Sequence, residues 1–262
     1  MSGLRFAAPN GATLHHVIRE GRGRAVVFAN SLGTDLRIWQ AVVAGLDPET
    51  PVLLWDKRGH GLSEEGPVGM EGHAADLAGL MDLHGLSGAL VCGVSVGGMI
   101  AQQLAANRPD LVSGLLLSNT GHRIGTAESW NARIETVERD GIAAMAEPIL
   151  ERWLSSFYRA SNPEAMAGWR AMLTRTPAAG YAALCRAIRD ADLTEAARGI
   201  DVPTLCLAGS EDGATPPELV RELADLVPGA AYRCLDGVGH LPSIERPDNV
   251  ARMLRDLMER IG

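Results

Sequence analysis

The chain has 262 residues, 46% of them hydrophobic and 21% charged; it can bury a core without a disulfide or metal staple and is too apolar to stay disordered. Its 24 basic and 32 acidic residues give a net charge of −8, which argues against a nucleic-acid partner, since such proteins present a basic face. No apolar run approaches the ~18 residues of a membrane span, and Met1-Ser2-Gly3-Leu4-Arg5-Phe6 lacks the basic-then-apolar order of a secretory leader.

In chain order, Pro9-Asn10-Gly11 between two short runs predicts a hairpin and an antiparallel start. Ala25 to Ala29, Pro51 to Trp55, Ala89 to Val94 and Gly114 to Ser118 follow as continuous apolar runs. Such runs suit strands buried on both faces of a parallel sheet. From Gly121 to Asp190 no strand-like run occurs. This stretch holds Trp130, Trp153 and Trp169, and its apolar residues recur at helical spacing, as in Trp130, Ile134 and Val137. It reads as a helical cap, 121–190, inserted into a core domain made of 1–120 and 191–262. Strands resume at Val202 to Ala208 and Ala230 to Leu235. A last helix carries Val250, Leu254, Leu257, Met258 and Ile261 on one face. Alternating strands and helices predict a doubly wound α/β sheet, and the cap would roof a site at the carboxyl ends of its strands. Cys92, Cys185, Cys206 and Cys234 form no CxxC pair and are expected as buried free thiols in a reducing cytoplasm. No metal site is expected.

Gly93-Val94-Ser95-Val96-Gly97 fits G-x-S-x-G, and it stands between a strand-like and a helix-like run. A sharp strand-to-helix turn exposes its serine as a nucleophile and aims a helix N-terminus at developing negative charge. A serine hydroxyl needs a base. Of the seven histidines, His240 lies in a loop directly after the last strand run; His60 and His122 also lie near strand ends. The base needs an acid to hold its tautomer. Asp212 follows the strand Val202 to Ala208, with Glu211 as its competitor and a turn or cap role as the alternative. An oxyanion hole is expected from the N–H of Val96 and of Leu32, in the loop after the strand Ala25 to Ala29.

The order Ser95, Asp212, His240, the elbow and Asp56-Lys57-Arg58-Gly59-His60-Gly61-Leu62-Ser63 resemble the α/β-hydrolase superfamily. The closer resemblance is to the 3-oxoadipate enol-lactonases. Phe28-Ala29-Asn30-Ser31-Leu32-Gly33-Thr34-Asp35, Leu117-Ser118-Asn119-Thr120 and Ile124 to Arg133 carry it, with Arg175-Thr176-Pro177 and Ala191-Asp192-Leu193-Thr194. The resemblance implies an α/β-hydrolase fold: a mostly parallel sheet with antiparallel N-terminal strands and a helical cap insertion. It implies opening of the enol-lactone of 3-oxoadipate in aromatic catabolism, the β-ketoadipate pathway, by a serine hydrolase without cofactor. Asn30 and Ser31 stand where many α/β-hydrolases have His-Gly; Ser31 would add a polar side chain beside the carbonyl site, or vary the turn.

The substrate would be a small anionic lactone. Trp130 is expected to face the pocket. Arg133 falls on the same helical face and would bind the lactone carboxylate, unless it is a solvated or structural residue; Arg186 and Arg189 are further candidates. Trp153 and Trp169 are expected to serve packing. The alternatives are a carboxylesterase, a carbon–carbon bond hydrolase, a perhydrolase, or a receptor-like binding protein that turns over negligibly. No membrane partner is expected, and the oligomeric state is left open.

Overall fold

The computed structural model describes residues 3–262; Met1 and Ser2 of the stretch read for a leader lie outside the described residues. Eight strands form one sheet: β1 (Arg5–Ala7), β2 (Leu14–Arg19), β3 (Val26–Ala29), β4 (Val52–Trp55), β5 (Ala89–Val94), β6 (Val112–Ser118), β7 (Thr204–Gly209) and β8 (Ala231–Leu235). Their spatial order is β1-β2-β4-β3-β5-β6-β7-β8. β1 and β2 pair antiparallel, as do β2 and β4; the remaining pairs are parallel. The antiparallel start follows from the turn at Gly11, which takes a positive φ of 86° that glycine adopts without steric cost.

Every residue of β3, β4, β5 and β7 is buried, as their unbroken apolar runs require. The helices outside the 121–190 segment are α1 (Gln40–Ala44), α2 (Met70–Leu83), α3 (Val96–Asn107), and then α9 (Thr194–Arg198), α10 (Pro217–Leu226), α11 (Pro242–Glu245) and α12 (Pro247–Ile261). Helix α3 packs on α2, α9, β3 and β5, and α10 packs on β7 and α9. Helix α12 packs on α1, α11 and β6. Between β6 and β7 come α4 (Ala127–Asp140), α5 (Ala146–Trp153), α6 (Ser156–Ser161), α7 (Pro163–Thr174) and α8 (Ala178–Asp190). The chain thus adopts the expected mostly parallel α/β architecture with a helical insertion. No helix among the described residues is long and apolar enough to cross a membrane.

Cys92, Cys185 and Cys206 are buried, and desolvation raises each thiol above its usual range. Cys234 is a correction: it is exposed. It lies on β8, the strand at the end of the sheet, where Arg233 and Cys234 have no covering layer.

One expected outcome arises from the packing of α2. Burial lowers His73 from 6.5 to about 3, with the charges of Lys57 and Arg58 acting in the same direction. Between those values the unfolded chain binds a proton that the folded chain refuses, so stability is full above about pH 6.5 and declines as pH falls toward 3. The urea midpoint at pH 5 should lie below that at pH 7.5, and His73→Gln should narrow the gap. A gap unchanged in the variant would assign the acid sensitivity elsewhere.

Candidate active site

The loops that follow β3, β5, β6, β7 and β8 meet at the carboxyl end of the sheet. The chain leaves β3 toward β4 on one side and returns to β5 on the other, so the loops after β3 and β5 diverge and leave a crevice. Ser95 follows β5 directly, with φ 59° and ψ −123°, a conformation rare for a side chain other than glycine. Surrounding groups hold it there. Ser95 N–H donates to Ser118 O at 3.0 Å, and Thr120 Oγ1 donates to Ser95 O at 2.6 Å. The flanking glycines are required by close approach: a Cβ on Gly93 would sit 2.2 Å from Gly97 O, and one on Gly97 would sit 2.1 Å from Ala29 O.

His240 and Asp212 come together as expected, with His240 Nδ1 2.8 Å from Asp212 Oδ2. Both are buried. Asp212 Oδ2 also accepts from Thr215 Oγ1 at 2.6 Å and Asn119 Nδ2 at 2.8 Å. Its Oδ1 accepts from the N–H groups of Ala214 and Thr215. Burial opposes the negative charge of Asp212, but the His240 imidazole and these donors outweigh it and hold the carboxyl below its usual range. Glu211 is not the partner; it accepts from the N–H and hydroxyl of Ser156. The adjacent side chains diverge, as neighbours in a turn do.

The expected continuous chain of hydrogen bonds stops one link short. Among the described residues, no hydrogen bond joins Ser95 Oγ to His240. Nε2 of the imidazole instead lies 3.4 Å from Ser31 Oγ. Catalytic hydrogen bonds are often long without substrate and tighten when it binds, and Ser95, Ser31 and His240 line one cavity. Of the two residues expected to supply N–H donors, Leu32 lines the cavity and Val96 directly follows Ser95 in the chain. Val96 opens helix α3, where the first N–H groups have no partner within the helix. Leu32 stands in the loop after β3. Among the described residues, neither N–H donates to a protein acceptor.

The cavity holds about 160 Å³ and is lined by Ser31, Leu32, Ser95 and His240 below and by Trp130, Arg133, Arg152, Trp153 and Tyr181 above. It is small beside the ~300–1,000 Å³ of a drug-sized site. Trp130 faces it as expected, its indole N–H donating to Ile124 O at 2.6 Å. The Arg133 guanidinium lies 5.2 Å from the Trp130 ring centre and 3.5 Å from the Tyr181 hydroxyl. Arg186 and Arg189 do not reach the cavity. Arg186 pairs with Glu138, and Arg189 with Asp190 and Asn131.

Trp153 packs in the core as expected and does more. It lines the cavity, and its carbonyl accepts from the backbone N–H of His240 at 2.8 Å. Two residues on, Ser155 N–H donates to Glu245 Oε1 at 3.1 Å. Glu245 also accepts from the Ser155 hydroxyl and, at 2.9 Å, from the N–H of Gly239. The end of α5 is therefore stitched to the loop that carries His240. Trp169 is half-buried, with its indole N–H 3.2 Å from the Tyr158 hydroxyl.

Sequence reasoning also passed over Arg152. It lies in the last turn of α5, donates to Gly213 O at 2.9 Å and, among the described residues, has no carboxylate partner. Burial and the nearby charge of Arg133 lower its guanidinium from its usual range. No sequence signal distinguishes it from the solvated arginines of α5 to α8. Thr215 had a signal: an Asp followed three residues later by Thr, just before a helix, allows the carboxylate to accept from that backbone N–H. Among the described residues, no group of three or more His, Cys, Asp or Glu is placed to hold a metal ion.

Residues 26–253 match the alpha/beta hydrolase family. The chain is 30% identical to 3-oxoadipate enol-lactonase 2 of Acinetobacter baylyi, over 91% of this chain and 90% of the relative. It is 32% identical to 3-oxoadipate enol-lactonase 1 of the same organism, over 90% and 89%. Among solved structures, an enol-lactonase from Burkholderia xenovorans LB400 superposes with a TM-score of 0.93 at 38% identity, covering 97% of this chain and all of that one. A thermophilic esterase from Thermogutta terrifontis, solved with malate bound, gives a TM-score of 0.91 at 28% identity, with 99% of each chain covered.

Proposed function

The chain belongs to the alpha/beta hydrolase family, and from that premise we propose that it is a serine hydrolase opening a small enol-lactone that bears a free carboxylate, the enol-lactone of 3-oxoadipate, in a cytoplasmic route of aromatic degradation. One observation carries the choice of substrate. Two guanidiniums without carboxylate partners, Arg133 and Arg152, line a cavity of about 160 Å³ above Ser95. Arg133 is half-buried and Arg152 is exposed at the cavity edge, and a carboxylate on the substrate would pair with both through charge-assisted hydrogen bonds. The likeness to two 3-oxoadipate enol-lactonases supports the same reading.

The reaction follows from the groups in place. His240, neutral, with its Nδ1–H held by Asp212, takes the Ser95 proton on Nε2 as Oγ attacks the lactone carbonyl. The N–H groups of Leu32 and Val96 stabilise the oxyanion. Collapse breaks the ring bond to the enol oxygen, which takes the proton from His240 and tautomerises to the ketone. His240 then draws a proton from water, which attacks the acyl-Ser95 ester; collapse breaks the bond to Ser95 Oγ, which takes that proton back from His240, and the diacid is released. Ser31, 3.4 Å from Nε2, orients the imidazole at rest and offers its hydroxyl to the bound lactone.

Comparing the enol-lactone with simple aryl and alkyl esters tests this reading. The lactone should exceed the best ester at least 100-fold in kcat/KM. Equal rates would make the protein a general carboxylesterase, and no turnover of any activated ester would make it a binding protein. The helical segment 121–190 should set the preference. Trp130→Ala should cut lactone kcat/KM about 10-fold or more, the cost of losing a buried aromatic contact, and leave a small acetate ester nearly unaffected. An unchanged lactone rate would move substrate choice out of this segment.

A further inference from the structure

The peptide between Ser31 and Leu32 has two ends. One is the N–H of Leu32, a residue that lines the cavity; the other is the Ser31 carbonyl. Lys57, in the loop after β4, donates from Nζ to that carbonyl at 2.7 Å and to Thr34 O at 3.0 Å. It is 1% exposed. Among the described residues, both of its hydrogen bonds go to this loop and none to a carboxylate. The same segment fixes the loop at two more points: Gly33 N–H donates to His60 Nε2 at 3.0 Å, and Leu36 N–H donates to Asp56 Oδ1 at 2.8 Å. His60 Nδ1 lies 3.1 Å from Arg58 O, which leaves Nε2 free to accept.

A buried ammonium is expensive, and an apolar side chain of the same length would fill the space at lower cost. The charge therefore needs a purpose beyond packing. We propose that Lys57 is a positioning residue for the oxyanion hole: its ammonium, bonded to the Ser31 carbonyl, fixes the Leu32 N–H toward the cavity and polarises it. A charge-assisted bond at one end of an amide strengthens the donor at the other end. The donor is then set before the reaction and does not reorganise during it. Burial lowers Lys57 to about 7, with Asp56 and Asp35 acting against the shift. This inference rests on the proposed role of Ser95 and Leu32.

The test is Lys57→Met, with kcat, KM, thermal midpoint and inhibition by phenylboronic acid, whose tetrahedral adduct on serine places an oxygen in the hole. For a folded variant we expect kcat to fall about 10- to 100-fold, KM to stay within about twofold, and the boronate Ki to rise by the same factor as kcat falls. A kcat within threefold of wild type, or a lower kcat with unchanged boronate affinity, overturns the proposal. Ser95→Ala separates the two ideas. If that variant stays active, the reading of the site fails; if it is inactive while Lys57→Met is fully active, only the role of Lys57 fails.

Should Lys57→Met not fold, the wild-type protein carries the test by NMR. The groups facing Lys57 are Asp35, Asp56, His60 and His73, with His240 across the Ser31 loop. Labelled lysine and histidine give each midpoint separately. The Leu32 amide resonance should move with the Lys57 midpoint, and an amide that ignores that titration overturns the proposal.

Discussion

Ser95→Ala is expected to lower kcat for the lactone by roughly 10⁴- to 10⁶-fold, and His240→Ala by a similar factor. The double variant should be little slower than either single one. The two side chains act as one unit: without its base the hydroxyl is a weak nucleophile, and without the nucleophile the base has no bond to activate. Substrate affinity should change little, because the cavity walls and both arginines remain. Asp212→Asn should cost about 10⁴-fold. Asp212 Oδ2 accepts from His240, Thr215 and Asn119 together. An amide there brings donors against donors and turns the imidazole to the wrong tautomer. Single-turnover measurements with an activated ester would check all four variants. A Ser95→Ala rate near that of wild type would end the assignment of the nucleophile.

Arg152→Met should raise KM for the acidic lactone about 10- to 100-fold, the range for a hydrogen bond to a charged group, and change KM for a neutral lactone of similar size less than threefold. Arg133→Met should act in the same direction. It should also loosen the wall, because the Arg133 guanidinium lies against Trp130. The comparison of two substrates separates charge recognition from packing: lost packing affects both lactones, and a lost cation affects only the acid. Since the chain carries −8 overall, the surrounding field repels an anion and the local cations must overcome it. Equal effects on both lactones would leave neutral donors, Ser31 and Tyr181 among them, to hold the carboxylate.

The sheet was legible because β3, β4, β5 and β7 are buried on both faces, which leaves unbroken apolar runs in the sequence. β8 was found as a strand, but its position at the end of the sheet was not visible, so Cys234 was misplaced. Ser95, Asp212 and His240 could be located because each follows a strand and the parallel arrangement gathers those ends. Arg152 and Trp153 could not. They reach the cavity through the packing of α5 against the Asp212 and His240 loops, a contact between segments about 60 to 90 residues apart that no local pattern encodes. Asn119 was quoted only within a resemblance. Its contact with Asp212 depends on a backbone turn at φ 47°, which asparagine tolerates better than most residues.

The Glu245 stitch bears on recombination between relatives. A chimera that exchanges residues 121–190 as a cassette would import a new residue at position 155 and keep the carboxylate of Glu245. If the incoming residue lacks a hydroxyl, that carboxylate keeps the backbone N–H groups of Gly239 and of position 155 but loses its third donor, which would let the His240 loop shift. Such a hybrid would turn over slowly, because a change at position 155 inside the cassette is felt at the His240 loop outside it. Libraries built on this scaffold should therefore vary position 245 together with the incoming helices, so that the graft and its anchor are inherited as a pair.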